Sequence, residues 1–178
     1  NLGIDYTGAD SGVNTGIFVN TPASAINNVI IEDVRISISG AGIGVGIFFK
    51  NAGGTVGNTD INVSSSTYAM GIRGYNDANA VSAVVINIYN SKVEAATSAA
   101  SGAGYSLAVY AQDYLATKTV TVNVYDSNLK AISTGTTYAY ALYGSGGTEA
   151  VVNARQSVIN GASINGIRYD VYSSDGSP

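Results

Sequence analysis

The sequence predicts an all-β chain, a parallel β-solenoid of about five to six turns with three short strands per turn. Three observations predict it. The first is a motif stated six times: Gly16-Ile17-Phe18-Val19, Gly46-Ile47-Phe48-Phe49, Gly71-Ile72-Arg73-Gly74, Ala108-Val109-Tyr110-Ala111, Ala141-Leu142-Tyr143-Gly144 and Gly166-Ile167-Arg168-Tyr169. Each copy runs Gly or Ala, then an aliphatic residue, then a large aromatic or Arg, and the copies stand 25 to 37 residues apart. A period of that size is the signature of a solenoid or repeat array. The second observation is an apolar-x-apolar strand pattern between the copies. The third is composition. Only 11% of residues are charged, against about 25% in ordinary soluble domains, and polarity comes from Ser, Thr, Asn and Gly, which suit strands and turns better than surface helices.

Taken in order, residues 1–15 read as an incomplete turn leading into the first motif. After each motif comes a second kind of strand, Val29-Ile30-Ile31, Ile61-Asn62-Val63, Ile86-Asn87-Ile88, Val122-Asn123-Val124 and Val152-Asn153-Ala154. The alternation has the period of two of a strand with one buried face. A turn former follows each: Asp33, Ser65, Asn90, Asp126 and Gln156, several of which bend the chain through side-chain to backbone hydrogen bonds. A third strand then places Ile36 and Ile38, Val93 and Ala95, Leu129 and Ala131, and Ile159 and Gly161 inward. In the turn between Ser66 and Met70 this third strand merges into the motif. From the motif to the next Asn-bearing strand the spacing is 10 to 14 residues, whereas from the turn former to the next motif it is 7 to 19. Variable insertions in a solenoid map to one side, often the binding side. The longest are 96–106 and 132–137, both bordered by Tyr.

Bulk properties exclude several chemistries. The 178 residues include no Cys and no His, which removes disulfides, thiol nucleophiles, Cys-ligated metals and the commonest general base. A solenoid manages without disulfides because each turn is stabilised by its neighbours. A net charge of −4 and a pI of about 4.5 provide no electrostatic footprint for nucleic acid or anionic lipid. No apolar run approaches the roughly 20 residues of a membrane-spanning helix, so direct membrane insertion is not expected. The chain opens on Asn1 and shows no signal peptide, and the expectation is a single β-helix domain, 1–178, belonging to a longer secreted protein.

The segment Asn28-Val29-Ile30-Ile31-Glu32-Asp33-Val34-Arg35-Ile36-Ser37 resembles the repeats of right-handed parallel β-helix proteins, where apolar-x-apolar is followed by an Asn or Asp turn and a second short strand. The strict hexapeptides of left-handed β-helices are absent, which favours the right-handed form. The composition, the missing Cys and the irregular period also resemble the passenger domains of bacterial autotransporter adhesins. That resemblance implies a bacterial cell-surface or extracellular location and a host surface protein or glycan as partner, with self-association along the solenoid open to it.

The same fold carries polysaccharide lyases, hydrolases and tailspike-like depolymerases, and one of these is the alternative expectation; a structural stalk is another. Polygalacturonase-like enzymes combine an Asn-Thr-Asp segment with an Asp-Asp pair, a Gly-His-Gly segment and an Arg-x-Lys segment. Only Asn58-Thr59-Asp60 is present. Asp60, Asp77, Asp113 and Glu149 fall in the motif-to-strand connections and could align along one edge, as paired carboxylates must for glycoside hydrolysis. No EF-hand or Gly-Gly-x-Gly-x-Asp repeat marks calcium, and no phosphate loop is present. No catalytic residue, cofactor or metal is therefore assigned.

The candidate binding residues come from the motif itself. With the aliphatic members inward, strict alternation turns the next residue outward, in a column Phe18, Phe48, Arg73, Tyr110, Tyr143, Arg168. The preceding column Gly16, Gly46, Gly71, Ala108, Ala141, Gly166 would also face outward, as a bare strip beside the aromatics. Aromatics and Arg are enriched at binding hot spots, and flat apolar faces stack on sugar rings. Tyr105 and Tyr138, beside the long loops, join this candidate surface. The outward Asn62, Asn87, Asn123 and Asn153 are expected to form an amide ladder between turns.

Overall fold

The computed structural model describes residues 2–9, 11–21, 26–77, 80, 82–99, 104–114, 118–135, 137–146, 150–163 and 168–175. Among them are seventeen strands and no helix. Every pairing is parallel, and each strand pairs with the strand three places away in the chain. The first sheet is β1 (Leu2–Gly8), β4 (Val34–Gly40), β7 (Asp60–Ser65), β10 (Lys92–Thr97), β13 (Asn128–Ser133) and β16 (Val158–Ser163). The second is β2 (Val13–Asn20), β5 (Ile43–Lys50), β8 (Ala69–Asn76), β11 (Tyr105–Asp113), β14 (Tyr138–Gly146) and β17 (Arg168–Asp175). The third is β3 (Ile26–Glu32), β6 (Ala52–Gly57), β9 (Val84–Tyr89), β12 (Val120–Tyr125) and β15 (Ala150–Arg155). The chain is a parallel β-solenoid with three strands per coil.

Alternation places apolar side chains inside, and stacking turns them into columns. In the first sheet Ile36, Ile61, Val93 and Leu129 succeed one another in register, each 0% exposed. Ile47, Ile72, Val109 and Leu142, none more than 1% exposed, succeed one another likewise in the second sheet. Full burial of one such side chain contributes about 1.5–3 kcal/mol, and each column member rests on the coils before and after it. The inward positions expected for the third strand of each turn all hold.

The coil at residues 52–65 differs from the sequence reading. Ile61-Asn62-Val63 lies in β7 of the first sheet, opposite Ile36-Ser37-Ile38 and Val93-Glu94-Ala95, and β6 is the third-sheet strand of that coil. The turn former is Asn58, not Ser65. The physical reason is that apolar-x-apolar reads the same in both sheets; only the turn between them tells them apart. That turn holds Asp33, Asn58, Asn90, Asp126 and Gln156, all with φ between 47° and 55°. In this left-handed region Asn and Asp are the least penalised side-chain-bearing residues; Gln156 lacks that advantage.

The turn from third to first sheet is one or two residues long in every coil, so it is the invariant connection. Both other connections vary in length. The amide N–H groups of Asp33, Asn58, Asn90 and Asp126 continue the ladder, as when Asn58 donates to Tyr89 O at 3.1 Å and Asp126 to Arg155 O at 3.2 Å. Beside it runs a column of hydroxyls. Ser127 Oγ donates to Tyr125 O at 2.7 Å and accepts from the Ser91 N–H at 3.1 Å. Ser91 Oγ donates to Tyr89 O at 2.7 Å and accepts from Thr59 Oγ1 at 3.1 Å. These hydroxyls satisfy backbone groups that the tight turn takes out of water.

The amide ladder forms with three of its four expected members. Asn153 Nδ2 donates to Asn123 Oδ1 and Asn123 Nδ2 to Asn87 Oδ1, both at 2.9 Å. Asn62 stands in the first sheet and takes no part; Thr55 occupies the corresponding third-sheet position. Next to the ladder Tyr89 and Tyr125 stack with centroids 4.9 Å apart.

Candidate functional site: a tyrosine-walled cleft

Strands of the second sheet bend in their middle, and the bend builds the site. At the motif, both the small residue and the aliphatic residue after it face inward. A Cβ on Gly46 would come within 2.5 Å of Ile61 Cγ2, one on Gly71 would overlap Val93 Cγ1, and Ala108 and Ala141 are fully buried in the core. The expected outward strip of Gly16, Gly46, Gly71, Ala108 and Ala141 is therefore an inward column, small because the first sheet presses against it. Gly166 lies outside the described residues.

Two successive inward residues leave outward residues three apart instead of two, and the wall opens between them. Phe18, Phe48, Arg73, Tyr110 and Tyr143 form one column beyond the bend, in register across β2, β5, β8, β11 and β14. Val45, Met70, Leu107 and Tyr140 form the column before it, and are themselves mostly covered. A further column, Ile43, Tyr68, Tyr105 and Tyr138, packs against them from the other side.

Arg168 leaves the column. In β17 it stands opposite Ala139, and Tyr172 takes the position opposite Tyr143. The chain geometry requires this. The other five copies begin at least six residues after the end of the preceding first-sheet strand, the room needed for the connection and the first half of the bent strand. Gly166 comes only three residues after Ser163.

The result is a cleft of about 310 Å³. Met70 and Leu107 form an aliphatic floor; Tyr68 and Tyr105 make one wall, and Arg73, Tyr110, Gln112 and Tyr143 the other. Tyr140 closes one end, its ring 4.8 Å from that of Tyr143, 5.8 Å from Tyr138 and 6.1 Å from Tyr105. Within the walls the rings stack on one another from coil to coil, Tyr105 on Tyr138 at 5.6 Å and Tyr110 on Tyr143 at 5.1 Å. Stacking turns ring faces toward each other, leaving edges and hydroxyls to line the cleft. The flat aromatic shelf expected from the sequence is thus a slot with hydroxyl-bearing walls.

Arg73 is the charged centre of the slot. Its guanidinium carbon lies 4.8, 5.0 and 5.7 Å from the ring centroids of Phe48, Tyr75 and Tyr110, and Nη2 donates to Gln112 Oε1 at 2.6 Å. Its Nε is buried without a hydrogen-bond partner. Burial pushes the Arg73 pKa down, against the upward pull of Tyr110 and Tyr75. Burial likewise raises the Tyr110 phenol, partly offset by its hydrogen bond with Ser145 Oγ at 2.8 Å. Burial and then the neighbouring Tyr68, Tyr138 and Tyr143 raise Tyr105.

Compared with protein-family models, curated proteins and solved structures, the chain matches none. The candidate carboxylates stand outside the cleft: Asp77 and Asp113 share one edge, at the ends of the adjacent strands β8 and β11, and Asp60 stands apart in the first sheet. Asp60 opens β7 and faces Lys92 at 3.9 Å. Asp77 follows β8, bonded to Asn51 and 3.0 Å from Lys50. Asp113 is buried at the end of β11, and Glu149 lies outside the described residues. Among the described residues no cluster of three or more acidic side chains is placed to hold a metal, and no helix is long and apolar enough to cross a membrane.

Of the expected site residues, Arg73, Tyr105, Tyr110 and Tyr143 line the cleft, Tyr138 backs Tyr140, and Phe48 supports Arg73. Phe18 packs on Phe48 with ring centroids 5.1 Å apart but stands beyond the slot. Sequence reading missed Tyr68, Met70, Leu107, Gln112 and Tyr140. The signal was there in the spacing: a Tyr or apolar residue stands three positions before Phe48, Arg73, Tyr110 and Tyr143, with Thr15 before Phe18 as the exception. Strict alternation assigns that position inward, and only the bend reverses it.

Proposed function

We propose that this chain is a non-catalytic extracellular binding module, an adhesin-type segment of a bacterial cell-surface β-helix, and that its ligand is a glycan held in the tyrosine-walled cleft. The observation that carries this reading is the cleft itself, assembled by side chains from three successive coils around an aliphatic floor. Its volume is at the small end of the roughly 300–1,000 Å³ of small-molecule sites, the size for a sugar ring or two. Phenol hydroxyls, an amide and a guanidinium along an apolar floor supply the few placed polar groups that such sites use to orient a ligand.

The variable connections from first to second sheet support the same reading. They span two to seven residues and lead directly into Tyr68, Tyr105 and Tyr138, so one of the two variable sides of the coil flanks one wall. Glycoside hydrolysis requires two carboxylates about the substrate, whereas no Asp or Glu lines the cleft; this favours binding over the polysaccharide-degrading alternative.

The test is a glycan and matrix-protein array probed with the chain and with Tyr105→Ser. Glycan binding that falls at least tenfold in the variant, with unchanged melting, is the expected result. Cleavage of a bound polysaccharide would establish the enzyme instead, and equal binding by both forms would remove the cleft from the function. A chain that binds nothing on the array would favour the structural stalk.

A further inference from the structure

The ligand's charge is legible in what surrounds Arg73. The outward positions of β2, β5, β8, β11 and β14 in the second sheet carry no Asp or Glu, although acidic residues outnumber basic ones by 12 to 8 in the whole chain; in β17, at the end of that sheet, Asp170 accepts from the Gly161 N–H. Two cations stand among those positions, Lys50 and Arg73. Lys50 has its counter-ion, Asp77, at 3.0 Å. Arg73 has none among the described residues: it is held by a neutral amide and by three ring faces. A guanidinium offers five N–H donors in a fixed fork, and Gln112 takes one. A charge removed from water without a partner is costly, and a carboxylate supplied by a ligand would offset that cost through charge-assisted hydrogen bonds.

We infer that the glycan bound in this cleft is acidic, and that Arg73 is the residue that reads its carboxylate or sulfate group. The inference rests on the reading of the cleft as a glycan site and gives it a substrate class. Exclusion of carboxylates from one face of an acidic protein is the arrangement that admits an anionic ligand without like-charge repulsion. Desolvation of Arg73 acts in the same sense, since an anion beside it offsets the cost of holding the charge away from water.

A sugar fits this cleft better than an acidic peptide does. β8, β11 and β14 are each paired on both sides, so no strand edge is free to pair with a peptide backbone. Recognition must come from side chains, and those present are hydroxyls, one amide and one guanidinium over Met70 and Leu107. Such a set serves a compact ring bearing hydroxyls and one acid group.

The experiment compares matched probes by isothermal titration: sialyllactose against lactose, and a sulfated glucuronate-containing disaccharide against its desulfated, carboxyl-reduced form. The wild-type chain, Arg73→Gln, Gln112→Glu and Tyr105→Ser are each titrated, with thermal melting to confirm folding. Gln112→Glu keeps Arg73 in place and neutralises it with a carboxylate. The expected result is that an acidic probe binds at least tenfold tighter than its neutral partner, that both charge variants abolish the difference, and that Tyr105→Ser weakens acidic and neutral probes alike. Neutral and acidic probes binding equally, or an acidic preference that survives in both charge variants, would overturn the inference and leave the glycan reading standing. Binding of poly-glutamate with no binding of any sugar, or no binding at all at millimolar concentration, would overturn both.

Discussion

Arg73 stands over Phe48, its guanidinium carbon 4.8 Å from the ring centroid, and the two residues occupy the same column on adjacent coils. A cation over an aromatic face contributes about 0.5–2 kcal/mol, more when desolvated. A double-mutant cycle with Phe48→Leu and Arg73→Met measures this pair directly. The expected coupling energy in urea unfolding is about 0.5–2 kcal/mol; a value near zero would mean that Gln112 and the remaining rings hold the guanidinium without Phe48.

The bend of the second sheet depends on small residues at its inner corner. Gly71→Ala places a Cβ within the van der Waals shell of Val93 Cγ1 and about 2.5 Å from Ala108 O. Overpacking of that kind costs about 1–3 kcal/mol, which chemical denaturation reads. Adding Val93→Ala makes room on one side, so the double variant is expected to recover part of the loss in spite of its smaller core.

Ser127 ties two coils together, its Oγ donating to Tyr125 O in its own turn and accepting from the Ser91 N–H of the coil before. Ser127→Ala leaves the Ser91 N–H without its partner in a buried turn, while Tyr125 O keeps the Asn90 N–H. The expected loss is about 1–3 kcal/mol. Hydrogen exchange at the Ser91 amide locates it, since protection there falls further than in β4, two coils away.

Alkaline pH tests the burial of the tyrosine wall. The folded-state pKa of Tyr110 is raised, chiefly by desolvation, above the value of about 10 of an exposed tyrosine. The folded state then holds its proton where the unfolded state has lost it, so this contribution is complete below about pH 10 and is lost as pH rises through the folded pKa. Thermal melting is expected to be flat with respect to this group up to about pH 10 and to fall above it. Tyr110→Phe removes that part of the fall, and an unchanged alkaline limb would show that Tyr110 titrates as an exposed phenol.

How far the sequence carries is clearest at particular residues. Ile36, Val93 and Leu129 were readable as a core column because alternation in a flat strand leaves one choice of face. Asn87, Asn123 and Asn153 were readable as a ladder because a recurring polar residue between two inward ones must point out. The same pattern misassigned Asn62, since β7 and the third-sheet strands share one hydrophobic alternation and differ only in which side of the left-handed turn they stand.

The sequence by itself determined the solenoid, its three strands per coil, most of its core columns and the aromatic and Arg residues of one outer column. Periodicity does that much, because stacked coils need the same residue type at the same place. Tertiary structure alone decided the cleft. It set the bend that turns Gly71 and Ile72 inward together, brought Met70 and Leu107 out as a floor, swung Tyr140 across one end and carried Arg168 out of the column. Each of these depends on connection length and on contact between sheets, which no local pattern of residues records.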